Sequence, residues 1–206
     1  MKLYSYHGAP NPRRVYIFAA EKSLDLDIVN VDITKREQKS PEFLNKNPSG
    51  KIPVLELDDG RCIAETVAIC RYLESLAPKP NLFGQDAFET AQIEMHHRFI
   101  EHELFTQVGT SWINGPIVAS TGLIKPIEAA KQRSDSLVND YYARLDRELG
   151  ERSYIAGDRF TVADITAFCI LDFASTLVGL KPGEQHQNLW GWFNRIAARE
   201  SVVATN

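Results

Sequence analysis

Cysteine is scarce in this sequence: Cys62, Cys70 and Cys169 are the three present, and none belongs to a CxxC pair. A small, odd number excludes a disulfide framework, and the plain expectation is buried thiols in a reducing compartment. No His/Cys cluster has zinc spacing. The adjacent His96 and His97 would point about 100° apart on a helix and make a poor metal pair, so no metal site is expected. No stretch reaches the ~18 unbroken apolar residues of a membrane span. The start, MKLYSYHGAPNPRR, has one Lys but no apolar run behind it, so no signal peptide is expected. There is no surplus of positive charge either. Lys and Arg number 23 against 27 Asp and Glu, for a formal net charge of -4. Such a chain has no evident reason to seek nucleic acid or an anionic membrane. The expectation is a cytoplasmic protein without either partner.

What remains is ordinary globular composition, 44% hydrophobic and 24% charged over 206 residues. That length is generous for one core and comfortable for two. The first third alternates short strand-like and helix-like runs. Leu3 to Tyr6 reads as a strand, Asn11-Pro12 as a helix start running to about Glu21, and Leu26 to Val31 as a second strand. Pro41 to Asn47 is a short helix after a Ser40 cap. Pro53 to Leu57 and Arg61 to Ile63 form a hairpin around Asp58-Asp59-Gly60. A helix follows from about Glu65 to Leu76, with Ile69, Cys70, Leu73, Leu76 and Ala77 as its apolar stripe. The order β-α-β-α-β-β-α predicts a small mixed sheet of four strands, the first two parallel and the closing pair antiparallel, with helices on both faces.

The segment Ala77-Pro78-Lys79-Pro80-Asn81 breaks helix and reads as a linker. Strand signals then disappear. Helical patterns cover Ala87 to about Trp112, Ile124 to Leu149 before Gly150, Val162 to Leu177, and about Leu189 to Arg199. The fold class expected is α/β plus all-α: a first domain at 1–78, a linker at 79–86 and a helical bundle at 87–206.

The most informative run is Asn47-Pro48-Ser49-Gly50-Lys51-Ile52-Pro53-Val54-Leu55, followed by Glu65-Thr66-Val67-Ala68-Ile69-Cys70-Arg71-Tyr72-Leu73. Together, at this spacing, the two halves resemble the glutathione-site signature of the cytosolic glutathione transferases. The resemblance implies a thioredoxin-like N-terminal domain and glutathione as co-substrate. It also implies a cis bond before Pro53, which leaves the N–H and C=O of Ile52 to pair with the cysteinyl part of the tripeptide as an added strand. The γ-glutamyl carboxylate would dock on the Thr66 hydroxyl and the helix N-terminus, with Glu65 facing the ligand's ammonium. Read without the family, Thr66 or Glu65 is a helix cap. Gln38 and Lys51 match positions with polar side chains near the glycyl carboxylate. Lys39 replaces Gln38 if the register slips by one, and Lys51 alone reads equally as a solvated charge.

A glutathione thiolate at neutral pH needs stabilisation, since a free thiol has a pKa near ~8.5. The loop Tyr6 to Arg14 is the place for it. There the serine position of theta-like enzymes falls on Ala9 and the cysteine position of beta-like enzymes on Pro10. Pro10-Asn11 ahead of a basic helix start most resembles the bacterial nu class, with Ala9 in place of its Thr. Asn11 is the candidate donor to sulfur, or else the cap of its helix. Tyr6 is the reserve donor, or else packing. Arg13 and Arg14 add positive potential, or are solvated. Phe105, Trp112 and His102 are candidates to line a second-substrate cleft between the domains, and each alone reads as core or surface. Thr161 and Asp164 resemble a capping box, a folding role.

The resemblance implies conjugation of the glutathione thiolate to small electrophiles, a role in detoxification, and a homodimer. Two alternatives stand beside it. The cysteine-free loop suits a nu-like glutathione-dependent disulfide reductase. The missing Ser and Cys suit a non-catalytic carrier or assembly module.

Overall fold

The computed structural model describes residues 1–205. Strands β1 (Lys2–Ser5), β2 (Asp27–Asn30), β3 (Val54–Glu56) and β4 (Cys62–Ala64) form one sheet in the order β2-β1-β3-β4. β1 and β2 run parallel, while β3 is antiparallel to both β1 and β4. This is the mixed sheet expected. Helix α1 (Pro10–Glu21) makes the crossover from β1 to β2, and α3 (Thr66–Leu76) follows the hairpin. Val15, Ile17, Phe18 and Ala19 of α1 and Ile69, Cys70 and Leu73 of α3 are buried. The apolar stripe of α3 is shorter than predicted, because Leu76, at its last turn, is 49% exposed. The short α2 (Pro41–Lys46) begins after Ser40, whose hydroxyl accepts from the Phe43 amide at 3.2 Å. Phe43 then packs with Val31 and Val54.

Two short 3-10 turns, Ile33–Lys35 and Glu37–Lys39, carry the chain from β2 to α2. Periodicity does not find them, because three residues are too few to show a period.

The remaining helices are α4 (Ala87–Phe99), α5 (Thr106–Ile113), α6 (Pro116–Ser120), α7 (Glu128–Leu149), α8 (Val162–Phe173), α9 (Gln187–Ala197) and α10 (Glu200–Val203). The long pattern from Ala87 to Trp112 is a run of helix with a π-helical turn, Ile100–Phe105, between α4 and α5. A second π-helical turn, Ala174–Val178, extends α8 to the left-handed Gly179. The helix expected from Ile124 starts instead at Glu128. Pro126 disfavours helical backbone in the residue before it, and the start is delayed past it.

The chain divides into two compact units, one made of Met1–Leu82 with the stretch from Glu200, the other of Phe83–Arg199. This differs from the boundaries expected at 78 and 87. The final stretch, counted with the helical domain by its position in sequence, belongs with the first unit. There α10 packs on α1, Val202 is buried, and Ser201 hydrogen-bonds Glu21. In the second unit α8 is the core element. Its residues from Val162 to Leu171 are all buried, as a helix apolar on nearly every side must be.

Candidate functional site

The loop Asn47–Pro53 is built by one side chain. Asn47 is buried; its Nδ2 donates to Lys51 O at 2.7 Å, and its Oδ1 accepts from Ser49 N at 3.1 Å and Ser49 Oγ at 2.9 Å. A primary amide supplies two donors and an acceptor from one short side chain, which suits it to this double role. Gly50 N returns to Asn47 O at 2.8 Å. Gly50 has φ +58°, and a Cβ there would sit 2.6 Å from Lys39 Nζ and 2.8 Å from Gln38 O. Glycine is therefore required twice, by conformation and by close approach. Lys39 Nζ also donates to Ser49 O at 3.0 Å.

Gln38, Lys39 and the loop are thus brought together. Gln38 is half-buried, with its Oε1 shielded and without a hydrogen-bond partner. Lys51 is exposed.

The Ile52–Pro53 bond is cis. The Ile52 side chain packs against the Val31, Phe43 and Val54 cluster. Pairing of β3 with β1 begins only at Val54. The N–H and C=O of Ile52 take no part in the turn and loop hydrogen bonds among the described residues. The residue is anchored by its side chain and presents an unpaired peptide edge.

Glu65 is exposed and stands at the start of α3 with φ 69° and ψ 122°, in the positive-φ region that L residues rarely adopt. No side chain caps this helix, so the capping alternative for Glu65 does not hold. Thr66 is buried, and it brings both a hydroxyl and the first backbone N–H groups of the helix to one place. That combination accepts an anion.

β1 pairs antiparallel with β3 through Tyr4 and Val54, so the chain leaves β1 at the same end of the sheet as Ile52–Pro53, and there α1 begins at Pro10, its cap two residues before the Asn11 expected. Its cap position is Ala9, with no side-chain bond. Asn11 is therefore not the cap. It lies inside the first turn, half-buried, and its Oδ1 accepts from Arg14 Nη1 at 3.2 Å. Arg14, read from sequence as a surface charge or a source of potential, is only 3% exposed. Tyr6 follows β1, half-buried, and its carbonyl accepts from the Ala9 amide at 3.2 Å.

Beneath β1, Tyr4 and Lys46 both donate to Glu56, at 2.7 and 2.5 Å. The Lys46 hydrogen bond, aided by that from Tyr4, lowers the Glu56 carboxyl below its usual range and holds Lys46 above its own. This is scaffolding under the sheet. Cys62 is half-buried, and burial raises its thiol, so it is a poor nucleophile. Cys70 and Cys169 are buried, as expected.

The other candidates lie in the second unit. His102 lines a groove of about 470 Å³ with Gln107, Tyr141 and Arg144. Phe105 and Trp112 are not among its walls. Trp112 instead meets Phe173 edge-on, ring centroids 5.2 Å apart. No group of His, Cys, Asp and Glu able to hold a metal occurs among the described residues, and no helix there is long and apolar enough to cross a membrane.

Comparison with known proteins gives the family. Residues 1–75 match the glutathione S-transferase N-terminal domain, and residues 114–200 match the C-terminal domain. Glutathione S-transferase 2 of Saccharomyces cerevisiae is 38% identical over 98% of this chain and 88% of its own length. The chain belongs to the glutathione S-transferase family. The crystal structure of Gtt2 from the same yeast covers all of both chains at 35% identity with a TM-score of 0.90. A Gtt2-class enzyme of Vibrio parahaemolyticus covers 100% of this chain and 96% of its own at 33% identity, with a TM-score of 0.87. The fold expected from sequence, a thioredoxin-like unit and a helical one, is thus the family's fold. Glutathione is the family's co-substrate, and the likeness found is to Gtt2-type members rather than to the nu class that the Pro10-Asn11 turn suggested.

Two roles went unread in the sequence. Asn47 was visible in the motif, but its function as the loop's internal clamp depends on a turn that exists only in three dimensions. Arg14 reads from sequence as a source of positive potential or as a solvated charge, and its burial removes the second of these. The one available signal was its place on the helix: it directly precedes Val15, and Ile17 and Phe18 lie one turn further on, all of them buried where α1 packs.

Proposed function

We propose that this protein conjugates the thiolate of glutathione to small electrophiles. The observation that carries the reading is the unpaired peptide edge of Ile52, anchored by its side chain and followed by the uncapped start of α3 at Thr66. An extended tripeptide would add to that edge as a strand. Its γ-glutamyl carboxylate would take the Thr66 hydroxyl and the helix N–H groups, and its ammonium would face Glu65. Gln38, Lys39 and Lys51 would receive the glycyl carboxylate. Held in this way, the thiol lies toward the Tyr6 to Arg14 loop, where Asn11 donates a hydrogen bond to sulfur and Tyr6 is the second donor. The thiol proton passes to solvent. The thiolate then attacks the electrophilic carbon, forming a C–S bond as the leaving group departs or the added electron pair is taken up by the acceptor. The protein contributes position and charge stabilisation and no covalent step of its own. Phe105, Trp112 and His102 are the candidates for contact with the electrophile.

Turnover of an aryl halide with glutathione, wild type against Asn11→Ala, tests the reading. Inertness of the wild type toward a panel of electrophiles would count against it. A second reading has its own support in the absence of cysteine from the Tyr6 to Arg14 loop: reduction of a small disulfide by two glutathione molecules, with no protein thiol in the relay. Glutathione-dependent disulfide reduction coupled to a reductase separates the two. Tight glutathione binding by calorimetry with neither activity would favour a carrier, and no binding an assembly module. We also propose a cytoplasmic homodimer. Phe88, Met95 and Phe99, spaced along α4, are 74%, 40% and 40% exposed and suit burial against a second copy. Sedimentation as a monomer at micromolar concentration would refute the dimer.

A further inference from the structure

Arg14 is 3% exposed in the first turns of α1 and donates from Nη1 to Asn11 Oδ1 at 3.2 Å. A guanidinium has only donors, so it can engage only the carbonyl end of an amide. Its neighbour is thereby oriented: with Oδ1 turned toward Arg14, the NH2 of Asn11 points the other way. The alternative flip would present a carbonyl oxygen where a donor is needed and would set two donors against each other. A thiolate is purely an acceptor, so the two flips have opposite effects on it.

We propose that Arg14 is a positioning residue for the thiolate, holding Asn11 with its amide NH2 toward sulfur. The inference rests on the reading of Asn11 as sulfur donor. Burial strengthens the effect, since a charge-assisted hydrogen bond away from water polarises the amide it holds and makes its N–H groups better donors. Arg14 itself touches neither sulfur nor electrophile. Its effect on sulfur is through Asn11, and that is what makes it testable.

The experiment measures the ultraviolet thiolate absorbance of protein-bound glutathione at neutral pH, together with kcat and the glutathione KM for an aryl halide. The variants are Asn11→Ala, Arg14→Met, Arg14→Lys, and Asn11→Ala with Arg14→Met. The expected result is that Arg14→Met lowers the thiolate fraction and kcat about tenfold while the glutathione KM changes little. Arg14→Lys, still a pure donor, restores part of the loss. In the Asn11→Ala background, Arg14→Met adds nothing. Equal losses in both backgrounds, or a loss that falls on KM, would overturn the proposal. If Asn11→Ala leaves the thiolate untouched, the reading of Asn11 as donor fails first. If Asn11→Ala is damaging and Arg14→Met is not, only the positioning role fails. Should Arg14→Met not fold, Asn11→Asp decides. It keeps Arg14 in place and bonded but presents an oxygen to sulfur, so the thiolate fraction should fall at least as far as in Asn11→Ala with the melting temperature held. An undiminished thiolate in Asn11→Asp would overturn the proposal.

Discussion

The starts of α3 and α8 each carry a threonine, and the protein treats them in opposite ways. At α8 the start is closed. Thr161 and Asp164 form a reciprocal capping box, and the buried Asp164 carboxylate accepts from Thr161 N, Ile155 N and Trp192 Nε1, each at 2.9 Å. These donors are satisfied by the chain itself. At α3 the start is open. Glu65 holds a positive φ, no side chain caps the turn, and Ala68 stands where an acidic partner would complete a box. A closed start is a fastening of the fold. An open start beside a buried hydroxyl leaves helix donors that no side chain of the chain caps.

The largest expected effect tests the closed end. Asp164→Ala leaves several buried donors unpaired and should cost about 3–5 kcal/mol in chemical denaturation. A loss under about 1 kcal/mol, the size of an ordinary cap, would mean that the box adds nothing beyond one local bond. Thr66→Val addresses the open end. It should raise the glutathione KM about tenfold, as for one hydrogen bond to a charged group, and leave the denaturation midpoint nearly unchanged. If Thr66→Val unfolds the protein as Asp164→Ala does, the two helix starts are not different in kind.

Glu65→Gly sharpens the contrast further. Relief of the positive φ should hold or raise the melting temperature, while loss of the carboxylate weakens glutathione binding about fivefold. A lowered melting temperature with binding intact would reverse the assignment.

The smallest effect concerns Glu56, whose folded carboxyl titrates below its ordinary range because Lys46 and Tyr4 donate to it. A depressed folded value stabilises the fold above the unfolded value and loses that contribution as pH falls through the folded one. The advantage of wild type over Glu56→Gln in melting temperature, worth about 1 kcal/mol or less at neutral pH, should therefore shrink once the pH falls below the ordinary carboxylate value of about 4.3 and disappear below the depressed folded one. An advantage independent of pH would assign the effect to packing.

The sequence carried the sheet order, the family signature and the closed helix start because each is local. Ser40 does cap α2, Asp58-Asp59-Gly60 does turn the hairpin, and Thr161 with Asp164 does form its box. It left Asn11 open between donor and cap because both readings of Asn before Pro are good chemistry. The choice between Ala9 and Asn11 as the boundary of α1 is made by how the helix seats on the sheet. Arg14 was left open for a related reason. Burial of a charged side chain is decided by its neighbours in space, and no window along the chain contains them. The π-helical turn at Ile100–Phe105 escaped in the same way, since one extra residue in a turn leaves a helical pattern nearly intact.

The joining of α10 to α1 has a consequence for how the molecule comes into being. Residues 200–205 leave the ribosome long after Met1–Leu82, yet they supply Val202 and Ser201 to the surface of the first helix. The domain whose strands are synthesised first must therefore wait, with one flank of α1 bare, until residues 200–205 have been made. Any nascent fragment that stops at Arg199 carries that bare flank with it.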